Sequence, residues 1–452
     1  MSQPRQLSLN AFIYPTGHHE ASWRHPAAVP ERITDITYFQ ELARTAEAAK
    51  LDAVFFADGP ALRSDARFKP DYHLEPITTL TAMASVTSHL GLIATASTTY
   101  YEPYNLARLF SSLDHLSRGR AGWNIVTTST DAAAANFGLD EHPPAADRYA
   151  RATEFVEAAI GLWDSWEDDA LVVDKEAGTY ADGDRIHRVD ARGEHLRVRG
   201  PLNSPRSPQG RPVLVQAGSS NDGREFAGRY AEAIFTAHQR IGDAQAFYAD
   251  IKARALKSGR NPDHVKVLPG LSPFIADSPA EARDLERELN ELTIPAFGLE
   301  QVRKLTGIDL SGVGYDDEVP QSWFEGFGDL ADTTQSRRSV VAKIVLREKP
   351  TVRELLYRLA GARGHNVVTG TAEQIVTVIE TWFRTGAADG FNIMPPVYPV
   401  GLEAFTERVV PILQDKGLFR TEYSGTTLRD HYGLLRPESR YAAEPLAGST
   451  AS

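Results

Sequence analysis

Residues 212–226 read Pro-Val-Leu-Val-Gln-Ala-Gly-Ser-Ser-Asn-Asp-Gly-Arg-Glu-Phe, an apolar strand that breaks at glycine and runs straight into an amphipathic helix. The strand spans 212–215, and Gly218, Ser219, Ser220 and Gly223 make the turn before the helical spacing of Phe226, Ala227 and Tyr230 begins. A helix start presents unpaired N–H groups and a partial positive charge, and small residues let an anion reach that backbone. The turn is therefore a candidate phosphate cradle. An ordinary strand-to-helix connection capped by serine would use the same residues, so the choice rests on what surrounds it.

Outward from this stretch the same unit recurs. Apolar runs at 7–13, 51–57, 90–96, 121–127, 212–217, 233–237, 265–271 and 390–394 alternate with helix-like segments. Eight continuous apolar strands separated by helices predict an α/β fold, a (β/α)8 barrel of the TIM type covered on both sides of its sheet. The helices are well punctuated. Pro103 opens one with the apolar stripe Leu106, Leu109, Phe110, Leu113 and Leu116 and with Gly119 beyond its end. Another starts near Asp147 and carries Phe155, Val156, Leu162 and Trp163, and Thr371 with Gln374 makes a capping box ahead of Ile375 and Val378.

Two segments break the rhythm. Residues 167–211 are rich in Asp, Gly and Pro and read as an excursion with a small hairpin, while 278–364 carry helical patterns between strands seven and eight. A structureless loop of that length is improbable, so the second and larger segment is predicted to be a folded insertion, placed after a strand where it can roof a site. One domain over 1–437 is the expected organisation, with the tail from Leu418 to Ser452 expected to fray and residues 438–452 flexible.

Composition narrows the function. A formal net charge of −12 with no basic run disfavours nucleic acid and points to a small-molecule partner. The chain has no cysteine, so disulfides, thiolate metal sites and cysteine nucleophiles are excluded. Met1–Leu9 holds no signal-like apolar core and no window approaches the length of a membrane span, so a cytoplasmic protein without membrane contact is expected. The thirteen histidines show no metal-ligand spacing, and no Gly-x-Gly-x-x-Gly follows a strand.

Strand ends carry the chemistry in a barrel. Here they offer Asp58-Gly59 after strand two, Thr95 to Tyr101 after strand three, and Asn124, Thr127, Thr128 and Ser129 after strand four. These mostly neutral polar groups suit hydrogen bonds to a polar planar ring above an apolar floor, although strand-end Thr and Asn often serve only neighbouring backbone. His18, His238 and His365, together with Phe56, are the candidates for a substrate pocket.

With these residues placed, the chain resembles the bacterial luciferase-like flavin-dependent monooxygenases, in the group of nitrilotriacetate monooxygenase, dibenzothiophene-sulfone monooxygenase and pristinamycin IIA synthase. The likeness runs from Leu9 to about Pro437 through Ala57-Asp58-Gly59, Thr99-Tyr100-Tyr101, Trp123-Asn124-Ile125-Val126-Thr127, Asn136-Phe137-Gly138, Asp147-Arg148-Tyr149, Gln216-Ala217-Gly218, Phe419-Arg420-Thr421-Glu422-Tyr423 and Thr427-Leu428-Arg429-Asp430-His431. The resemblance implies FMN, reduced by a separate NAD(P)H:flavin reductase, O2 as co-substrate, and a homodimer or homotetramer. It also implies roles: Asp58 and Thr95 at the flavin ring, Asn124 and Thr127 lining it, and Tyr149, Gly218, Ser219 and Ser220 at the phosphate. Where relatives carry a histidine four residues before that tyrosine, this chain has Ala145. The substrate implied is a small organic compound, such as an aminopolycarboxylate or organosulfur compound. A deazaflavin (F420)-dependent hydride-transfer enzyme on the same barrel, or a non-catalytic flavin-binding protein, are the alternatives, and a metal-dependent barrel hydrolase is disfavoured by ligand spacing.

Overall fold

The computed structural model describes residues 5–62, 66–70, 74–128, 131–326 and 333–442; Ser129 and residues 443–452 of the tail lie outside them. Eight parallel strands close into a ring: β1 Ser8–Ile13, β2 Ala53–Phe56, β3 Gly91–Ser97, β4 Ala121–Val126, β5 Val213–Gln216, β6 Ala233–Thr236, β7 Lys266–Ile275 and β8 Gly390–Ile393. Each pairs with the next, and β1 closes on β8 from Ser8 opposite Gly390 to Ala11 opposite Ile393. A Cβ at Gly390 would collide with Ser8 O, so this seam requires glycine.

Strand residues alternate between two cores because the side-chain period is two. Phe12, Ala53, Phe55, Ile93, Val213, Val215, Ala233, Leu268 and Met394 fill the barrel interior. Leu9, Ala11, Val54, Phe56, Leu92, Trp123 and Leu214 face outward into the layer shared with helix residues such as Phe39, Leu80, Phe110 and Phe155. The helix Pro103–Leu116 corrects one sequence expectation. Its buried stripe is Leu106, Ala107, Phe110 and Leu113, and Leu109 and Leu116 are 42% and 66% exposed. Those two lie about 100° round the helix from the stripe centre.

Between β7 and β8 the chain builds helices Pro295–Thr306, Thr333–Glu348 and Val352–Ala360 around a small core of Val302, Leu310, Phe324, Val345 and Leu355, while the helix Pro279–Glu291 packs Leu289 with Ala21, Phe274 and Val397. A ninth parallel strand, Asn366–Gly370, follows them. It pairs with Leu271–Ile275 of β7, which runs on past the ring pairing that ends at Leu271 opposite Ile393. Sequence periodicity ends strand seven at residue 271 and so misses both the overrun and its partner. The 167–211 excursion holds two short hairpins, Leu171–Asp174 with Thr179–Ala181 and Ala191–Arg192 with Arg197–Val198.

The tail does not fray from Leu418. It turns under the barrel, and the helix Leu428–Tyr432 closes the amino end of the ring, where Leu428, Tyr432 and Leu434 join the interior core. Leu428 fills the space left by Gly91 and Gly122. The Tyr432 hydroxyl donates to Asn10 Oδ1 at 2.9 Å inside the barrel. Arg420 pairs with Asp52 at 2.6 Å and Arg429 with Glu232 at 2.6 Å. Ordered packing continues through Ser439, whose hydroxyl donates to Asp164 O at 3.0 Å.

Candidate active site

Closing the amino end leaves the carboxyl end as the open face of the barrel. β5 ends at Gln216 and the helix Asn221–Tyr230 begins after Ser220, whose Oγ accepts the Gly223 N–H at 3.1 Å as its N-cap. A Cβ at Gly223 would stand 3.0 Å from the Tyr149 hydroxyl, 3.1 Å from Ser220 Oγ and 3.1 Å from Gly218 Cα. Glycine at 223 therefore lets one hydroxyl from each of two elements close on a narrow notch at the helix start. Gln216 lies against Gly218 beneath it, with Oε1 buried and unpartnered among the described residues. Ser219 is exposed beside the notch.

Tyr149 reaches this point from the helix Ala145–Asp164. Its neighbour Arg148 braces the loop after β4, donating to Pro143 O at 3.0 Å and Thr127 Oγ1 at 3.3 Å. Arg151 donates to Thr98 O at 3.0 Å after β3. The Asp-Arg-Tyr segment thus divides its work, with arginine fixing the rim and tyrosine facing the notch. Ala145 stands four residues before Tyr149, on the same helix face. His142, three residues earlier, is committed elsewhere. Its Nδ1 lies 2.8 Å from the Tyr100 hydroxyl and its Nε2 3.1 Å from Thr128 O, while burial and Arg148 hold its pKa below the usual histidine value.

Along the rim from the notch, Asn124 and Thr95 face each other in register on β4 and β3. Asn124 Nδ2 donates to Thr95 Oγ1 at 2.8 Å, and Thr95 Oγ1 donates to Phe56 O at 2.7 Å. Asn124 Oδ1 remains buried without a hydrogen-bond partner among the described residues. Asp58 follows β2 and accepts the Gly59 N–H at 2.8 Å. The structure thus sets Asp58, Thr95, Asn124, Thr127, Tyr149, Gly218, Ser219 and Ser220 on one arc from β2 to β5.

The floor of the mouth is aromatic. Phe12 stacks on Phe55 at 4.6 Å and meets Phe235 edge-on at 5.2 Å, and His365 stacks on Phe235 at 4.8 Å. His18 lies 4.7 Å from Phe12, with Nε2 2.7 Å from Phe12 O. Phe56 is a correction: it packs outward on Phe39 at 5.8 Å, and Phe55 is the residue turned into the barrel. His238 sits past β6, with Nε2 2.9 Å from Thr236 Oγ1 and its pKa lowered by burial. His238 and His365 both line a cleft of about 1060 Å³ between the barrel rim and the inserted helices. Among the described residues no cluster of three or more His, Asp or Glu side chains is arranged to hold a metal ion. No described helix is long and apolar enough to cross a membrane.

The profile of luciferase-like monooxygenases matches residues 12–389. The chain belongs to the luciferase-like monooxygenase family. It is 48% identical to N-acetyl-S-(2-succino)cysteine monooxygenase of Bacillus subtilis (strain 168), over 98% of this chain and 99% of that one. It is 47% identical to nitrilotriacetate monooxygenase component A of Aminobacter aminovorans, again over 98% and 99% of the two chains. Among solved structures, riboflavin lyase with modified FMN and its substrate riboflavin superposes with a TM-score of 0.83 at 33% identity, covering 95% of this chain and 96% of that one.

Within the family frame, sequence reasoning missed Phe12, Phe55 and Phe235, the aromatic floor, and Gln216, the support of the notch. Gln216 lies inside the quoted turn, so its signal was present. The aromatic rings carried none that separates them from ordinary core, because in a barrel both faces of each strand are buried.

Proposed function

We propose that the protein is the oxygenase component of a two-component flavin-dependent monooxygenase, taking FMN reduced by a separate NAD(P)H:flavin reductase and using O2 to oxygenate a small organic substrate. The observation that carries this reading is the Gly223 notch, with the Tyr149 and Ser220 hydroxyls at its wall and the start of a ten-residue helix at its base. Such a site suits a phosphate monoester. Asn124 Oδ1, buried and unpartnered, fits a ring N–H, and the Phe12, Phe55 and Phe235 floor fits an apolar ring face.

Bound there, reduced FMN supplies the electrons that activate O2, so one oxygen atom enters the substrate and the other leaves as water. The chain's own residues then have three tasks. Tyr149, Ser219 and Ser220 hold the phosphate. Asn124, Thr95, Thr127 and Asp58 orient the ring. The aromatic floor and the inserted helices keep bulk water from the mouth. No side chain is required as a nucleophile.

A flavin titration followed by fluorescence, then O2 uptake with a generic NADH:flavin reductase and product mass analysis, tests the reading. FMN binding weakened by Tyr149→Phe, and a product heavier by one oxygen atom, are the expected results. Binding of a deazaflavin in preference to FMN, or flavin binding with no substrate-dependent product across a chemically broad panel, would overturn it. Relatives named for a succinylated cysteine, for nitrilotriacetate and for riboflavin share this barrel. What lines the cleft, and not the fold, therefore sets the substrate.

A further inference from the structure

The excursion between the helix Ala145–Asp164 and β5 carries two hairpins of opposite character. In the first, Leu171–Asp174 pairs with Thr179–Ala181, and every residue from 171 to 180 is exposed. Leu171, Val172, Val173 and Tyr180 are 38–68% exposed. Four large apolar side chains on one short hairpin differ from the scattered single residues of an ordinary surface. A two-stranded sheet with nothing packed behind it is also marginal in water.

Its backbone is strained as well. Leu171 stands opposite Ala181 and Asp174 opposite Thr179, so Val172 and Val173 share one opposite residue, Tyr180, in a bulge. Val173 has a φ of +50°, a left-handed conformation that is unfavourable for a β-branched residue. The bulge gathers two valines across from the tyrosine into an apolar knob that no described residue covers.

The second hairpin, Ala191–Arg192 with Arg197–Val198, offers the complement. Beside it runs a groove of about 360 Å³ whose lining includes Tyr104, Val198 and Pro201 with Arg197 and Arg199. The one acid of that lining, Glu102, faces Arg151 at 3.9 Å. Over residues 188–199 four exposed arginines, Arg188, Arg192, Arg197 and Arg199, stand against Asp190 and Glu194, and among the described residues none of the six forms an ion pair. Over residues 171–184 Asp174, Glu176 and Asp184 stand against Lys175, again without ion pairs, and Asp182 is held by Arg185 at 3.3 Å. The free charge is therefore two positive on one hairpin and two negative on the other.

We propose that these surfaces meet between two copies of the chain, the knob of each seated in the groove of the other, apolar side chains on apolar lining and carboxylates on arginines. Guanidinium forks suit carboxylates, and like hairpins repel, so knob against knob is disfavoured. Because knob and groove lie on one chain, a twofold axis makes both contacts at once and the interface closes at two copies. This assigns a face, and neither hairpin contributes a residue to the notch or the cleft, so the inference stands apart from the flavin reading.

The full-length protein is followed by sedimentation velocity in the micromolar range, with thermal unfolding by circular dichroism as the control for folding. Glu176→Lys/Asp184→Lys inverts the charge of the knob and leaves Asp174, whose carboxylate accepts the Glu176 and Ala177 N–H groups at 2.9 Å. Arg197→Glu/Arg199→Glu inverts the groove. All four positions are exposed, so both variants should unfold as the parent does. Each variant alone should sediment at half the parental mass. An equimolar mixture of the two should return to the parental mass, because every contact of the mixed pair again joins opposite charges. Val172→Ser/Tyr180→Ser, which keeps the charges, should raise the dissociation constant at least about tenfold. A monomeric parent, charge variants that keep the parental mass, a mixture that stays dissociated, or an unchanged dissociation constant in the serine variant would each overturn the proposal.

Discussion

Beneath β2 and β6 the barrel is closed by its own chain, with Arg420 on Asp52 and Arg429 on Glu232, whereas above β5 and β6 two hydroxyls converge on Gly223 at a helix start and Arg240 lines a cleft of mixed charge. Unpartnered buried polar atoms do not separate the two ends. Among the described residues Arg420 Nη1 and His431 Nδ1 lack partners below, as Asn124 Oδ1 and Gln216 Oε1 do above. What differs is charge neutralisation. At the amino end cations and carboxylates meet within the chain, and burial is stabilised by pairing. At the carboxyl end the polar groups along the notch are neutral, and among the described residues neither Arg240, Lys343 and Arg347 nor Asp243, Glu286 and Glu354 of the cleft form an ion pair. The family motifs around Phe419 and Arg429 belong to the first kind and those around Asn124, Tyr149 and Gly218 to the second, so shared sequence marks closure as well as chemistry.

The largest effect that would test this division is at Arg429, which is 2% exposed and donates to both oxygens of Glu232 and to Pro212 O. Burial raises the Glu232 pKa, but Arg429 and Arg211 outweigh it and hold the carboxyl below its ordinary value. Arg429→Ala strands that carboxylate and should cost about 3–5 kcal/mol in urea unfolding. FMN affinity of the folded fraction should stay within a few-fold. A fall in flavin affinity matching the loss of stability would show that the ends are coupled.

A second effect at the amino end depends on pH. Asp114 is fully buried and accepts from Ser207 Oγ at 2.5 Å, Gln209 Nε2 at 2.7 Å and the Ala121 N–H at 2.9 Å, and burial pushes its pKa up to about 6. A carboxyl whose pKa is raised on folding contributes stability below its unfolded value near 3.8, and that contribution is lost as pH rises through about 6. Asp114→Asn should therefore gain on the parent by up to about 1.4 kcal/mol per pH unit between those limits. Parallel pH profiles for the two proteins would mean that the three donors already offset the burial.

How much of this was legible follows the same line. The ring was legible because eight apolar runs punctuated by glycine and proline are local signals, and so was the turn at Gly218–Gly223. Whether Phe55 or Phe56 enters the barrel was not, since both are apolar and both are buried; only the parity of β2 against its neighbours decides it. The plug was hidden by distance. Tyr432 bonds Asn10 across 422 residues, and a Gly-, Ser- and Pro-rich terminus read locally looks like a free end. The ninth strand was hidden by Ser272 and Pro273, which interrupt the apolar run of β7 while the backbone continues extended to Ile275.

At the carboxyl end, Gly223→Ala should be the sharpest single change. The added methyl meets the Tyr149 hydroxyl, Ser220 Oγ and Gly218 Cα at 3.0–3.1 Å, all within the notch, so it removes the space without removing a donor. FMN should weaken by about 1–3 kcal/mol, the worth of a charge-assisted hydrogen bond, with little change in unfolding because alanine favours the helix more than glycine does. Ser220→Ala differs in an informative way. It loses the Gly223 cap as well as a phosphate donor, so both flavin affinity and helix stability should fall by about 1 kcal/mol. Equal flavin affinity in both variants and the parent would place the phosphate elsewhere.

The smallest effect concerns Ala145, where the family resemblance leads to the expectation of a histidine. Ala145 is the first residue of the helix Ala145–Asp164 and half-buried, and it shares a face with Tyr149 one turn on. A histidine there would point its ring along the face that carries the Tyr149 hydroxyl toward the notch, adding a donor without disturbing packing already completed by Phe155 and Val156. His142 is occupied by Thr128 O and the Tyr100 hydroxyl, and burial and Arg148 lower its pKa. Ala145→His should therefore tighten FMN by about 1 kcal/mol, roughly fivefold, and more strongly below pH 6 than above pH 8, because only a protonated ring adds charge to the hydrogen bond. The gain should vanish in a Gly223→Ala background, where the phosphate no longer seats. A gain that survives that second substitution would mean that the histidine acts outside the notch, and the contrast between a closed amino end and an open carboxyl end would then need a second anion site to explain it.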